Sequence, residues 1–222
     1  MTPKQRKIIS QTAEMIQKRF SDDPSGHDWY HMERVWKMAQ KLADAERADR
    51  FIVEMAALLH DYADWKLEID HQKENEEMKS WLRKIGVSEE NISKICAIIE
   101  KVSFKGLDKP SEQETLEGKI VQDADRLDAI GAIAIARVFA YGGHKGRPIF
   151  DPTDTVFEPI SSTEYAKLNS SSRRSGLHHF YDKLLHLRDQ INTASARKIA
   201  DERHRYMEEY VERFLAEWDG KS

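Results

Sequence analysis

The sequence predicts an all-α fold, a helical bundle with additional helices at its C-terminal end. Apolar residues recur at spacings of three and four, as in Val35, Met38, Ala39 and Leu42, which is the period of one helix face. Residues that favour helix ends, chiefly Ser, Asp and Gly, stand at the borders of these segments. The strict alternation of polar and apolar residues that indicates a strand is scarce.

The first half of the chain predicts five helices. The turn-rich cluster Ser21–Gly26 ends the first of them. Gly86 suits the left-handed residue that ends the fourth helix, and Ser88 is expected to cap the fifth. In order, the predicted helices cover about Lys4–Phe20, about His27–Arg47, a segment through Ile52 and Leu59 that ends at Asp61, Asp70–Ile85 and Ser88–Ser103.

The second half predicts one long central helix, a long loop and the C-terminal helices. The segment Glu112–Tyr141 reads as one helix, rich in small residues that permit close packing and followed by Gly142 and Gly143. The loop that follows, to about residue 160, has no helical period, and loops of this length are often functional. A capping box at 161–164 opens a short helix, and two more helices are predicted at Arg174–Gln190 and Thr193–Trp218.

Charge and composition narrow the class of protein. Thirty-five Lys and Arg against 39 Asp and Glu give a net charge of -4, so no positive excess favours a nucleic-acid polymer as partner. No segment reaches the roughly 18 apolar residues of a membrane span, and the N-terminus lacks the apolar stretch of a signal peptide. The single cysteine, Cys96, lies in an apolar run typical of a buried thiol. We therefore expect a cytoplasmic protein with neither a membrane nor a nucleic-acid polymer as partner.

Four residues on three predicted helices offer ligand atoms for a divalent cation: His31, the adjacent His60 and Asp61, and Asp125. Imidazole nitrogen and carboxylate oxygen bind borderline and hard divalent cations. Two carboxylates would offset the charge of such a cation, and four ligands in an octahedral site leave two positions for water or substrate. Because adjacent helical residues point about 100° apart, His60 and Asp61 can share a cation only where the helix passes it edge-on.

This pattern resembles that of the HD-domain metal-dependent phosphohydrolases, which carry a first His, a His-Asp pair and a distant Asp. The chain is further similar to one bacterial branch, the YpgQ-type nucleotide pyrophosphohydrolases. The stretches that carry this second similarity are Gly26–Trp29, Ser103–Gly106, Val121–Gly131, Tyr141–Gly143 and Asp151-Pro152. The resemblance covers most of the chain. It implies one HD-type domain over residues 1–222, with a metal-site core at about 26–142, a loop at about 142–160 and C-terminal helices at about 161–219.

The resemblance also implies a reaction. One divalent ion held by His31, His60, Asp61 and Asp125 is expected to activate water for hydrolysis of a phosphoester or phosphoanhydride. Manganese is the expected ion, with magnesium, cobalt, nickel, iron and zinc as alternatives, because these ligands serve several metals. The expected substrate is a small nucleotide, a nucleoside or deoxynucleoside triphosphate cleaved to monophosphate and pyrophosphate.

Further residues are candidates around this ion. Asp64 lies four residues after His60, so on a continuing helix it projects to the same side and is placed to orient or deprotonate the water. Asp128, one turn after Asp125, is expected to fix a ligand histidine or Arg126. Substrate phosphates need donors and cations nearby, and the candidates for that role are His27, Lys66, Lys105, Arg147 and Lys183.

Several alternatives stay open. Phosphomonoesterases and cyclic-nucleotide phosphodiesterases of the same superfamily have closely similar sites, and a regulatory module would bind a nucleotide without turnover. His27 and His31 have the spacing of the HExxH zinc motif, although Asp28 stands where that motif has Glu. His27 and Asp28 are expected either to contact phosphate or to cap the helix. A homodimer is also left open.

Overall fold

The computed structural model describes residues 1–21, 28–62, 71–102, 112–153 and 174–221. Within these ranges the structure is helical and contains no strand, which confirms the predicted all-α class. None of the helices in these ranges combines the length and the apolar composition that crossing a membrane requires. The chain forms two compact units, one of Met1–Ser103 and Ser111–Asp125 and the other mainly of Arg126–Ser222. The expectation of a single domain over residues 1–222 stays a prediction.

The helices agree with most of the predicted segments. Those up to residue 128 are α1 Pro3–Arg19, α2 Trp29–Glu46, α3 Arg50–Leu59, α4 His71–Lys84, α5 Glu89–Ile99 and α6 Leu116–Asp128. The later ones are α7 Ala132–His144, α8 His178–Asp182, the 3-10 helix η1 Leu184–Gln190 and α9 Ala194–Trp218. The capping box predicted at 161–164 lies outside the described residues.

Short-range hydrogen bonds define where helices begin and end. Asp49 caps α3 by accepting a hydrogen bond from the backbone N–H of Phe51 at 2.9 Å. Ser88 caps α5 as predicted, through the N–H of Asn91 at 3.4 Å, and Gly86 has the predicted positive φ of 84°. Each cap satisfies an N–H that has no partner inside the helix.

Helix α3 is the centre of the first unit. All residues from Phe51 to Leu59 are buried, because this run is apolar on every side of the helix apart from Glu54. It packs against α1, α2 and α5. The C-terminal end of α3, where His60 and Asp61 follow, is therefore held from several directions.

The buried carboxylate of Glu54 ties α3 to α2. One of its oxygens accepts hydrogen bonds from Trp36 Nε1 at 2.9 Å and Gln40 Nε2 at 2.8 Å, both on α2. The other accepts two bonds from Arg50, at 3.0 and 2.8 Å. All of these donors are satisfied by one carboxylate, so the relative register of α2 and α3 depends on it.

The predicted single helix Glu112–Tyr141 is wrong, because α6 ends at Asp128 and α7 begins at Ala132. Gly131 has a φ of 92°, which a right-handed helix cannot accommodate and which glycine adopts without strain. A Cβ at this position would lie 3.1 Å from the side chain of Arg203. The break therefore requires glycine both for its backbone conformation and for close packing.

The second unit has an aromatic core. Phe139 of α7, Phe180 of α8, and Tyr210 and Phe214 of α9 pack with ring centroids 5.9 to 6.4 Å apart. Such pairs stabilise a core beyond the area that they bury. The predicted helix Arg174–Gln190 is wrong, because the chain changes direction at Lys183, between α8 and η1, with φ -143° and ψ -56°.

Candidate metal centre

His31 is placed by the beginning of α2. The carboxylate of Asp28 accepts a hydrogen bond from the backbone N–H of His31 at 2.8 Å, which is the geometry of an N-cap. Of the two roles that the sequence left open for Asp28, capping is thus observed. The cap fixes the first turn of the helix, and the imidazole of His31 is buried there.

His60 is placed by the end of α3, and a backbone carbonyl sets its protonation. Its Nδ1 lies 2.8 Å from the carbonyl oxygen of Ala57, one turn earlier. Because a carbonyl only accepts, Nδ1 carries the proton, and in the neutral ring Nε2 is left with its lone pair. That Nε2 lies 3.3 Å from Nε2 of His31. This is the usual arrangement of a histidine that ligates a metal through Nε2.

The two aspartates complete the cluster. Asp61 Oδ2 lies 3.4 Å from Nε2 of His31 and 3.5 Å from Nε2 of His60. Asp125 Oδ1, from α6, lies 3.6 and 3.8 Å from the same two nitrogens. Both histidines and Asp61 are buried, whereas the side chain of Asp125 is 28% exposed. Asp125 is therefore the most solvent-exposed of the four ligand candidates.

The adjacent residues that share this cluster, His60 and Asp61, follow the last residue of α3. Leu59 is the last residue of the helix, and residues 60–62 form a turn in which the N–H of Tyr62 donates to the carbonyl of Leu59 at 3.0 Å. In a continuing helix the two side chains would diverge by about 100°. Here α3 has ended at Leu59, although His60 keeps helical φ and ψ of -61° and -32°, and both side chains reach the cluster.

The donor atoms fit a divalent cation. The side chains of His31, His60 and Asp125 each offer an atom within 4.8 Å of the others. The separations of either imidazole Nε2 from the other donor atoms are 3.3 to 3.8 Å. Neighbouring ligands bonded to one cation at about 2.0–2.2 Å lie about 3.0–3.6 Å apart. Two neutral nitrogens and two carboxylate oxygens are also the donor set expected for such a cation.

The remaining residues predicted near the ion are only partly described. His27, Asp64, Lys66 and Lys105 lie outside the described residues. Asp128 is buried and accepts a hydrogen bond from Arg137 at 2.9 Å. Its predicted role toward a ligand histidine or Arg126 stays a prediction.

Two predicted phosphate contacts, Arg147 and Lys183, belong to the second unit. The guanidinium carbon of Arg147 lies 5.7 Å from the ring centroid of Tyr141. Burial, followed by the positive charges of Lys183 and Arg147, lowers the pKa of His179 to about 3. Within the second unit, the positive side chains of Arg147 and Lys183 therefore lie close enough to His179 to act on its charge. Their contact with substrate stays a prediction.

Sequence reasoning missed the residues that support the ligands. The carbonyl of Ala57 orients His60, and Tyr62 follows the ligand pair as a buried ring. A backbone carbonyl has no sequence signature. The burial of Tyr62 depends on residues far along the chain, so spacing alone does not reveal it.

Comparison with known proteins places this site in a family. Residues 28–130, which include all four ligand candidates, match the HD domain. Over 209 residues the chain is 38% identical to YpgQ of Bacillus subtilis. The aligned region covers 94% of this chain and 92% of YpgQ.

Solved structures show the same relationship. A crystal structure of a HD-superfamily hydrolase from Bacillus thuringiensis superposes with a TM-score of 0.76 at 43% identity, over 97% of this chain and 98% of that one. The crystal structure of Bacillus subtilis YpgQ in complex with ADP gives a TM-score of 0.75 at 36% identity, over 96% and 100% of the two chains. The protein therefore belongs to the HD superfamily, a class of metal-dependent hydrolases, and to the group within it that includes YpgQ. The resemblance seen in the sequence is confirmed at the level of family and fold.

Proposed function

We propose that this protein hydrolyses a nucleoside or deoxynucleoside triphosphate to the monophosphate and pyrophosphate, using water activated by one divalent cation. The observation that carries the proposal is the cluster in which the Nε2 atoms of His31 and His60 lie 3.3 to 3.8 Å from each other and from carboxylate oxygens of Asp61 and Asp125. The partial exposure of Asp125 supports access from solvent. A nucleotide substrate is supported by the ADP complex of YpgQ.

His31, His60, Asp61 and Asp125 would hold the cation, which we propose to be manganese. When bound, a divalent cation lowers the pKa of its water towards about 7 and polarises a phosphoryl oxygen. The protein contributes a preset ligand: because Ala57 holds the Nδ1 proton of His60, that ring presents its lone pair without rearrangement. The two carboxylates offset the positive charge in a site where both histidines are shielded from water.

We infer that Asp64 handles the proton of the attacking water. Its support is its closeness in sequence to the ligand pair, three residues after Asp61; the helical spacing expected from the sequence does not carry the role, because α3 ends at Leu59. Asp64→Asn should retain metal binding and lose most turnover, because an amide cannot accept the proton. Full turnover in this variant, measured by product release with metal content matched to the wild type, would exclude the role.

The proposed reaction is tested by restoring metals to stripped protein. Mn, Mg, Co, Ni or Zn is added singly, and a panel of nucleotides is screened for products by mass spectrometry. His60→Ala and Asp61→Ala should abolish turnover, because each removes a ligand. His144→Ala is the matched control, because His144 is an exposed histidine at the end of α7 and should leave turnover unchanged.

The products decide between the proposed reaction and its alternatives. Metal-dependent release of pyrophosphate supports the proposal. Release of inorganic phosphate alone, or opening of a cyclic nucleotide, would instead indicate a phosphomonoesterase or a phosphodiesterase. Saturable nucleotide binding without turnover under any of the metals would indicate a regulatory binding module.

A further inference from the structure

An arginine of α1 lies over the ring that follows the ligand pair. The guanidinium carbon of Arg19 is 4.3 Å from the ring centroid of Tyr62, which is buried. The same guanidinium donates a hydrogen bond to the carboxylate of Glu74 on α4. The end of α1, the turn of residues 60–62 and α4 therefore meet at one contact.

The geometry of this contact is favourable for a cation–π interaction. Cation–π interactions are effective when the cation lies within about 6 Å of the ring centroid, and they strengthen when water is excluded. The side chains of Arg19 and Glu74 are only 30% and 15% exposed, so water is partly excluded from the pair. The bond to Glu74 also holds the guanidinium in one orientation over the ring.

The direction of Asp61 is set at this turn, which the contact with Arg19 adjoins. Helix α3 has ended at Leu59, and among the described residues the N–H of Tyr62 donates to the carbonyl of Leu59 across the turn. A small rotation here would move Asp61 Oδ2 from its positions 3.4 and 3.5 Å from the two imidazole nitrogens.

We propose that Arg19, held by Glu74 and stacked on Tyr62, is a positioning residue for the metal centre. It acts through the turn, by keeping Asp61 directed at the two histidines. The inference rests on the proposed metal site. Outer residues that orient metal ligands typically change metal affinity by about 10- to 100-fold when altered, and this more remote contact is expected to lie near the lower end of that range.

The test is the Mn²⁺ affinity of the full chain, measured from the electron paramagnetic resonance signal of free Mn²⁺ during a titration. Arg19→Met keeps the aliphatic stem but removes the charge, and Tyr62→Leu removes the ring. Each should weaken Mn²⁺ binding about 3- to 30-fold. The double variant should be no weaker than the weaker single variant, because both changes break one contact.

Two variants serve as matched controls. Tyr62→Phe keeps the ring face and should bind Mn²⁺ within about twofold of the wild type. Arg83→Met breaks another arginine–glutamate pair, with Glu89 at 2.8 Å on the surface of α4 and α5, and should likewise leave Mn²⁺ affinity unchanged.

The outcomes separate this inference from the proposed function. If the wild type binds no Mn²⁺, the metal site itself is refuted. The positioning role alone is refuted if Asp61→Ala loses Mn²⁺ binding but Arg19→Met and Tyr62→Leu, both folded, bind Mn²⁺ as the wild type does. A lower melting temperature of these two variants would not change that conclusion. If circular dichroism shows that Arg19→Met does not fold, the comparison of Tyr62→Leu with Tyr62→Phe decides the question by the same criterion.

Discussion

Glu54→Gln should destabilise the protein by about 2–4 kcal/mol although it changes no metal ligand. Glu54 is 2% exposed, and its carboxylate accepts four hydrogen bonds of 2.8 to 3.0 Å from Trp36, Gln40 and Arg50. Glutamine removes the charge and turns an NH₂ group toward donors, so at least one end of the network loses its acceptor.

The size of the effect follows from what remains paired. Breaking a fully buried ion pair typically costs about 3–5 kcal/mol. Loss of the Glu54 charge should cost less here, because Arg50 keeps a second partner and some contact with water. Arg50 also donates to Asp44 at 3.0 and 2.9 Å, and its side chain is 32% exposed. The loss therefore falls below that of a stranded charge but above that of one neutral hydrogen bond, which is about 1 kcal/mol.

Urea unfolding followed by circular dichroism measures the effect, in EDTA so that metal binding does not contribute. With a slope of about 2–3 kcal/mol/M, the midpoint should fall by about 1–2 M. Glu90→Gln is the control. Glu90 pairs with Lys94 on the surface of α5, its side chain is 76% exposed, and its loss should leave the midpoint nearly unchanged. Equal midpoint shifts in the two variants would refute the reasoning.

Three further predictions concern the helix cap, the metal and pH. Asp28→Ala removes the cap at His31 and should lower the free energy of unfolding by about 1 kcal/mol in a urea titration; no change would mean that water replaces the cap. Chelation should lower Tm by about 5–10 °C from its value at an ion concentration of about 100 times Kd, since binding then adds about 2.7 kcal/mol; an unchanged Tm with every ion tested would contradict a metal site. The pKa of His179 is lowered to about 3 by burial and by Lys183 and Arg147, so below pH 6.5 the unfolded chain binds a proton that the folded chain does not. The free energy of unfolding should therefore decrease as the pH is lowered from about 6.5 to about 3, by up to about 1.4 kcal/mol per pH unit from this group. His179→Gln should make the free energy of unfolding depend less on pH over this range.

The features that were predictable from the sequence are those set by local interactions. Helix faces follow from apolar spacing, and the cap at Ser88 and the positive φ of Gly86 follow from the chemistry of single residues. The ligand candidates were identified through the resemblance to the HD-domain pattern, because an adjacent His-Asp pair is by itself a weak signal. Cys96 is half-buried, and burial raises the pKa of its thiol, in line with the expected unreactive setting.

The features that escaped prediction depend on tertiary structure. The residues on both sides of Gly131 favour helix, and a single glycine costs a helix only about 1 kcal/mol, so the break between α6 and α7 had no clear local signal. The end of α3 before His60 was equally hidden, because His60 itself has helical φ and ψ of -61° and -32°. The stacking of Arg19 on Tyr62 joins residues distant in sequence and could be found only from coordinates.

The central claim is that a divalent cation held by the His-Asp cluster drives hydrolysis of a nucleotide. Its most direct test is phosphorus NMR of a deoxynucleoside triphosphate incubated with metal-stripped protein, with and without Mn²⁺. Excess EDTA is added before each spectrum is recorded, because paramagnetic Mn²⁺ broadens phosphorus signals. The account predicts that monophosphate and pyrophosphate appear only after Mn²⁺ is added, and that neither appears with Asp61→Ala. Absence of both products after incubation with Mn²⁺, or equal turnover by Asp61→Ala, would contradict it.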